Sequence, residues 1–172
     1  TTLPTATATP QPVEITSNNA KSLTVINRSQ ISNPLQVRWA KDGASLLISS
    51  QQSDENGNQS FGATKFTFPD LQSASVYDSQ NARVADISPD GLKLALVSQD
   101  LTSLSILDIS SGNAAPLTIP TDFLINNASF SPDSATLAVS KMDDWEVVLY
   151  KVADGSMINT LTGFGTAAPI YN

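Results

Sequence analysis

The stretch Ala85-Asp-Ile-Ser-Pro-Asp90-Gly-Leu-Lys-Leu94-Ala-Leu96-Val97 spells out a β-hairpin in its residue types. An Asp-Gly pair turns the chain between two strands. The Pro before it presets φ for the turn. After it, alternate residues face one side of a sheet. Two other stretches share the pattern when aligned on the turn Asp: Val37-Arg-Trp-Ala-Lys-Asp42-Gly-Ala-Ser-Leu46-Leu-Ile48, and Ala128-Ser-Phe-Ser-Pro-Asp133-Ser-Ala-Thr-Leu137-Ala-Val139. Each has a large apolar residue three positions before the Asp (Trp39, Ile87, Phe130), a Leu four after it and an aliphatic residue six after it. The Asp-to-Asp steps are 48 and 43 residues. A fixed period of this size marks a repeated supersecondary unit.

Between the hairpins the apolar period stays at two, and no window keeps a helical stripe for three turns. Ser, Thr, Val and Ile are common while Glu and Lys are scarce, so the chain is expected to be all-β. Third strands are expected at Ser103–Asp108 and 146–152, each ending in a Gly turn, at Gly112 and Gly155. Outer strands are expected at 117–119 and 158–161. The first repeat fits less well. Its third strand is placed at 63–68, after a long polar loop over 51–62, and its outer strand at 74–77.

Ser88-Pro-Asp-Gly91 and Ser131-Pro-Asp-Ser134, each followed by alternating aliphatic residues, resemble the Ser-Pro-Asp-Gly repeats of bacterial WD-repeat and TolB-like β-propellers. The resemblance covers roughly residues 23–163. It implies an all-β, propeller-like fold of about three four-stranded antiparallel blades, over 35–78, 82–120 and 126–163. An extra N-terminal outer strand would lie at 23–28. WD repeats usually carry Gly-His and Trp-Asp pairs. Here there is no His, and Leu107-Asp108 and Tyr150-Lys151 stand at the Trp-Asp position. The TolB-like or generic bacterial variant is the closer match.

Closed propellers have about four to eight blades, so three blades and a strand do not close. Three explanations stay open: a piece of a longer protein, a ring or stack completed by further copies, or a smaller sandwich-like or barrel-like arrangement.

Composition removes much chemistry. With no His and no Cys there is no His-based nucleophile system, no His or thiolate metal site and no disulfide. The formal charge of −7 repels phosphate backbones, so nucleic acid is not an expected partner. No apolar run is long enough to span a bilayer. Residues 1–20 read as a Thr/Pro-rich extended linker, and 21–172 as the repeat domain. The chain starts at Thr1 without Met, which fits a preceding segment that was either cleaved or left out. The linker resembles those of bacterial surface lipoproteins, implying an exported protein with a lipid or wall tether upstream of Thr1.

Candidate sites are few. Asp54, Asn56 and Asn58, around Gly57, resemble half of a calcium loop, but the twelfth position counted from Asp54 is Lys65 rather than Glu. A hairpin turn accounts for them as well. Asp143, Asp144 and Glu146 cluster beside Trp145. The paired carboxylates suit a cation or acid–base work on a sugar, or simply make a polar turn; the turn Met142–Trp145, with the 51–62 loop, departs most from the repeat and is the expected partner surface, with Asp143, Asp144 and Trp145 as its contacts. Asn27, Asn58 and Asn127 head Asn-X-Ser/Thr sequons; Asn127 falls at the start of an inner strand, a poor place for a glycan. Trp39, Ile87 and Phe130 repeat, and are therefore expected to be inter-blade core. The expected role is a non-enzymatic protein-binding or scaffold module without cofactor, binding another protein or further copies of itself. The alternatives are a self-assembling surface or filament subunit, and a carbohydrate-active enzyme using two carboxylates.

Overall fold

The structure is a computed structural model. It describes residues 16–22, 25, 28–68, 70–110, 115–142 and 144–163. Among the described residues, a 3-10 turn at Ala20–Ser22 is followed by twelve strands in three antiparallel four-stranded sheets, each a simple meander. Sheet 1 holds β1 (Pro34–Trp39), β2 (Ser45–Ser53), β3 (Gln59–Thr67) and β4 (Gln72–Ser79). Sheet 2 holds β5 (Ala82–Ile87), β6 (Lys93–Ser98), β7 (Ser103–Asp108) and β8 (Leu117–Pro120). Sheet 3 holds β9 (Ile125–Phe130), β10 (Thr136–Lys141), β11 (Val147–Lys151) and β12 (Met157–Leu161). No described helix is long and apolar enough to cross a membrane.

In sheets 2 and 3 the repeat turn is built by one device. The Ser88 hydroxyl donates to Asp90 Oδ1 and accepts from the Lys93 N–H, while Asp90 Oδ1 also accepts from the Leu92 N–H. Ser131, Asp133 and Thr136 repeat it in sheet 3. The residue after the Asp adopts a left-handed conformation, at φ 64° for Gly43, 72° for Gly91 and 62° for Ser134. Ser98, Asp100 and Ser103 use the same spacing of hydroxyl, carboxylate and N–H to turn β6 into β7.

The sheets stack face to face. The side of sheet 2 that carries Ile87, Leu94 and Leu96 packs on Ala40, Leu47 and Ala63 of sheet 1. The same side of sheet 3, with Phe130, Leu137 and Val139, packs on Ala95, Val97, Leu104 and Ile106 of sheet 2. Each sheet thus offers an apolar front to the rear of the sheet before it. Sheet 2 is covered on both sides, so Leu94, Ala95, Leu96 and Val97 are buried in succession. The flanking sheets keep the alternation of one covered face. Backbones approach closely across both interfaces: a Cβ on Gly91 would lie 2.6 Å from Ala40 Cβ, and one on Gly155 would lie 2.8 Å from Ile119 Cγ1.

Three expectations change. The polar stretch 51–62 is mostly paired strand, with Gln51 opposite Phe61 and Ser53 opposite Gln59. Only 54–58 form the turn, and β3 begins at Gln59. Ladder hydrogen bonds, which need no apolar side chains, carry this hairpin past the core. Trp39 is not buried: it is 54% exposed and rests on Phe68 at 4.9 Å, because no described sheet faces the front of sheet 1. Asn127 lies on β9 but is exposed, on the open rear of sheet 3. Of the strand expected at 23–28, only Val25 and Arg28 are described, and neither is in a strand. Residues 1–15 of the linker expected at 1–20, and the Gly112 turn, lie outside the described residues.

Candidate partner-binding surface

The turn from β10 to β11 is tied at its base. The Lys141 N–H donates to the Glu146 carbonyl at 3.1 Å, and the Met142 N–H to the Leu124 carbonyl at 2.8 Å. Lys141 Nζ donates to Glu146 Oε2 at 2.6 Å, lies 3.8 Å from Asp144 Oδ2, and sits over the Phe123 ring at 5.1 Å. The Glu146 hydrogen bond, reinforced by the charges of Glu146 and Asp144, raises the Lys141 pKa. Lys141 therefore neutralises Glu146 and leaves Asp144 as the surplus charge.

Trp145 stands at the tip, 76% exposed, beside the exposed thioether of Met142. A shallow cleft of about 420 Å³ runs beneath it, bordered by Asn126, Ser140 and Asp144. An exposed indole, a thioether and a carboxylate that shares its lysine with a second acid suit an amphipathic or cationic peptide segment. Asp143 lies outside the described residues. Sequence reading singled out the turn Met142–Trp145 and missed Asn126. Only its place beside the same turn brings Asn126 in.

The calcium-like segment is a self-contained turn. Asp54 Oδ1 accepts from the N–H groups of Asn56 and Asn58, and Oδ2 accepts from Asn58 Nδ2, all at 2.8 Å. The hydrogen bonds from Asn58 lower the Asp54 pKa. Amide hydrogens thus occupy both oxygens that a cation would need. Among the described residues no group of three His, Cys, Asp or Glu side chains gathers to hold a metal.

One polar cluster went unnoticed in the sequence. Arg38, Asp86 and Ser129 are repeat-equivalent residues on β1, β5 and β9, and they join the three sheets. Asp86, only 3% exposed, accepts from Arg38 Nη2 (3.0 Å) and the Ile87 N–H (2.8 Å) at Oδ1. At Oδ2 it accepts from Ser129 Oγ (2.9 Å) and the Phe130 N–H (2.8 Å). The available signal was an acid amid the apolar residues of a buried strand.

Sheets that stack front to rear, with their first strands linked at equivalent positions, define the architecture. The three sheets are blades of a β-propeller. Among the described residues they do not close a ring. No protein-family model matches the sequence, and no curated protein sequence matches it. Solved structures do. Hsv2 from Kluyvelomyces marxianus superposes with a TM-score of 0.60 at 13% identity, over 81% of this chain and 42% of that one. The β-propeller domain of the trilobed protease from Pyrococcus furiosus, with its open velcro topology, gives 0.53 at 14% identity over 76% and 43%. The β-propeller domain of Cps50 (Swd1) from Myceliophteria thermophila gives 0.50 at 14% identity over 76% and 43%. This chain spans less than half the length of each. At such identities the likeness concerns the fold alone.

Proposed function

We propose that these blades serve a non-enzymatic protein-binding scaffold, of the TolB-like bacterial kind, on an exported protein held by its Thr/Pro-rich linker. The observation that carries the reading is Trp145, solvent-exposed above a cleft with Met142 and Asp144 at one end of a blade. Large exposed aromatics are common anchors of protein recognition.

The disposition of the acids supports a role without catalysis. Asp42, Asp54, Asp90, Asp100, Asp108, Asp133 and Asp154 each accept hydrogen bonds within their own turns. A carbohydrate-active centre needs two carboxylates facing one cleft, whereas Asp144 and Glu146 are bridged by Lys141. A photo-crosslinking residue at position 145, in the protein expressed in its native host, tests the proposal. A discrete adduct that is absent from the same probe at Ile158 supports the reading. Equal labelling from both positions refutes it.

A further inference from the structure

We infer that the cleft between the β2–β3 turn and the β4–β5 link is a binding site for a neutral polyhydroxylated ligand, of the class of a saccharide unit. This inference goes beyond the scaffold reading and does not depend on the Trp145 surface.

Three segments meet at this cleft, on the seam between sheets 1 and 2. Gly57, Asn58 and Gln59 come from the β2–β3 turn and the first residue of β3. Gln80 and Asn81 link β4 to β5, and Gln99 follows β6. Together they border a space of about 520 Å³, within the size range of small-ligand sites. All five side chains there are carboxamides, and all are exposed. Turn building accounts for Asn, whose short side chain hydrogen-bonds its own backbone. It does not account for three Gln residues gathered from three segments.

The amides are open and their backbones are fixed. Asn58 Nδ2 donates to Asp54 Oδ2 at 2.8 Å. The side chains of Gln59, Gln80, Asn81 and Gln99 hydrogen-bond to no protein group among the described residues. The Gln99 N–H donates to the Asn81 carbonyl at 2.9 Å, and the Asn81 N–H to Ser79 Oγ at 3.0 Å. The Asp54 N–H donates to the Asn58 carbonyl at 2.9 Å. A ligand therefore meets loops already held in place, which lowers the ordering cost of binding.

The chemistry of the walls selects the ligand class. No charged side chain borders the cleft. Asp54 and Asp100 belong to the same turns, but their carboxylates accept from N–H and hydroxyl groups of those turns. A charged ligand would find no opposite charge to pair with. An extended peptide would bring side chains that need pockets of their own. A carboxamide offers two donors and an acceptor, and a hydroxyl offers one donor and two lone pairs. A row of sugar hydroxyls thus matches a row of carboxamides without any charge. Gly57, at φ 84°, has no atom within 4 Å of where a Cβ would lie, so the ligand can approach the backbone there.

The test is two-dimensional proton–nitrogen NMR of the 172-residue chain, whose side-chain amide signals report on the cleft directly. The probes are methyl α-glucoside, methyl β-galactoside and N-acetylglucosamine, with capped triglycine as the peptide control. At least one sugar should shift the amide pairs of Gln59, Gln80, Asn81 and Gln99 together and saturably, at millimolar concentration. The double variant Gln80→Leu with Gln99→Leu should weaken that binding about ten-fold or more, with backbone signals confirming the fold. Gln59→Ala serves as a second variant and should weaken it in the same direction. Absence of a saturable shift with all three sugars overturns the proposal, as does unchanged affinity in the variants. Capped triglycine shifting the same four pairs at a lower concentration than any sugar would make the cleft a peptide site, and also overturns it.

Discussion

Replacing Asp86 with Ala should remove a large share of the fold's stability. The carboxylate accepts four hydrogen bonds, from partners up to 48 residues away in sequence. Two donors, the N–H groups of Ile87 and Phe130, are buried and would be left without an acceptor. Each such orphan costs about 1–3 kcal/mol. Ser129 is exposed and turns to water at little cost. The Arg38 side chain is 42% exposed, so its charge is rehydrated and adds at most about 1 kcal/mol. Relief of the buried carboxylate's own desolvation offsets part of the total. The net expectation is a loss of about 2–4 kcal/mol, against total stabilities of about 5–15 kcal/mol for native domains.

Urea denaturation followed by circular dichroism measures this directly, and the melting temperature should fall by roughly 5–15 °C. Asp86→Asn keeps a single oxygen acceptor and should lose about half as much. A double-mutant cycle between Asp86→Ala and Arg38→Ala should give a coupling below about 1 kcal/mol, since water replaces the carboxylate at Arg38. A loss below about 1 kcal/mol in Asp86→Ala would refute the claim that this carboxylate joins the blades.

Other outcomes follow from the same contacts. Gly43 and Gly91 occupy equivalent left-handed turn positions, but only Gly91 faces Ala40 across an interface. Gly43→Ala should cost about 1–2 kcal/mol and Gly91→Ala clearly more, about 2–4 kcal/mol, by urea titration. Ser134→Gly should be nearly neutral, because relief of its left-handed conformation offsets loss of the hydrogen bond from the Asp90 N–H to Ser134 Oγ. Hydrogen bonds from Ser98 and Ser131 hold the pKa values of Asp100 and Asp133 below the ordinary 3.8. With folded values depressed, their contribution is present above that pH and is lost as pH falls through the folded values. Urea midpoints should therefore drop below about pH 4, and less steeply in Asp100→Asn with Asp133→Asn. Trp145→Ala should change stability by less than about 0.5 kcal/mol while abolishing partner contact, by denaturation and cross-linking in parallel.

The turns were the legible part of the fold. Ser, Pro, Asp and Gly at fixed spacing name their own hydrogen bonds, so Ser103–Asp108 could be placed from the sequence alone. The hairpin from Gln51 to Phe61 was illegible because its polar residues pair through the backbone, which no side-chain pattern reports. The exposure of Trp39 depends on whether a sheet lies in front of it, and the residue's own repeat position suggests the opposite. Asp86 gave only its oddity as an acid on an inner strand, since its partners lie 43, 44 and 48 residues away. Of the candidate surface, Asp144 and Trp145 could be found by their departure from the repeat. Met142 was found with them, as part of the same turn, whereas Asn126 needed the fold to bring it beside Trp145.

The central claim is that the three repeats are blades stacked front to rear. Nuclear Overhauser contacts between blades test it most directly, because Gly91 lies against Ala40 and Gly155 against Ile119, from different sheets. The account predicts strong cross-peaks from the Ala40 methyl to the Gly91 Hα protons, and from Ile119 to Gly155. Well-resolved spectra with intact strand pairing but neither cross-peak would contradict it.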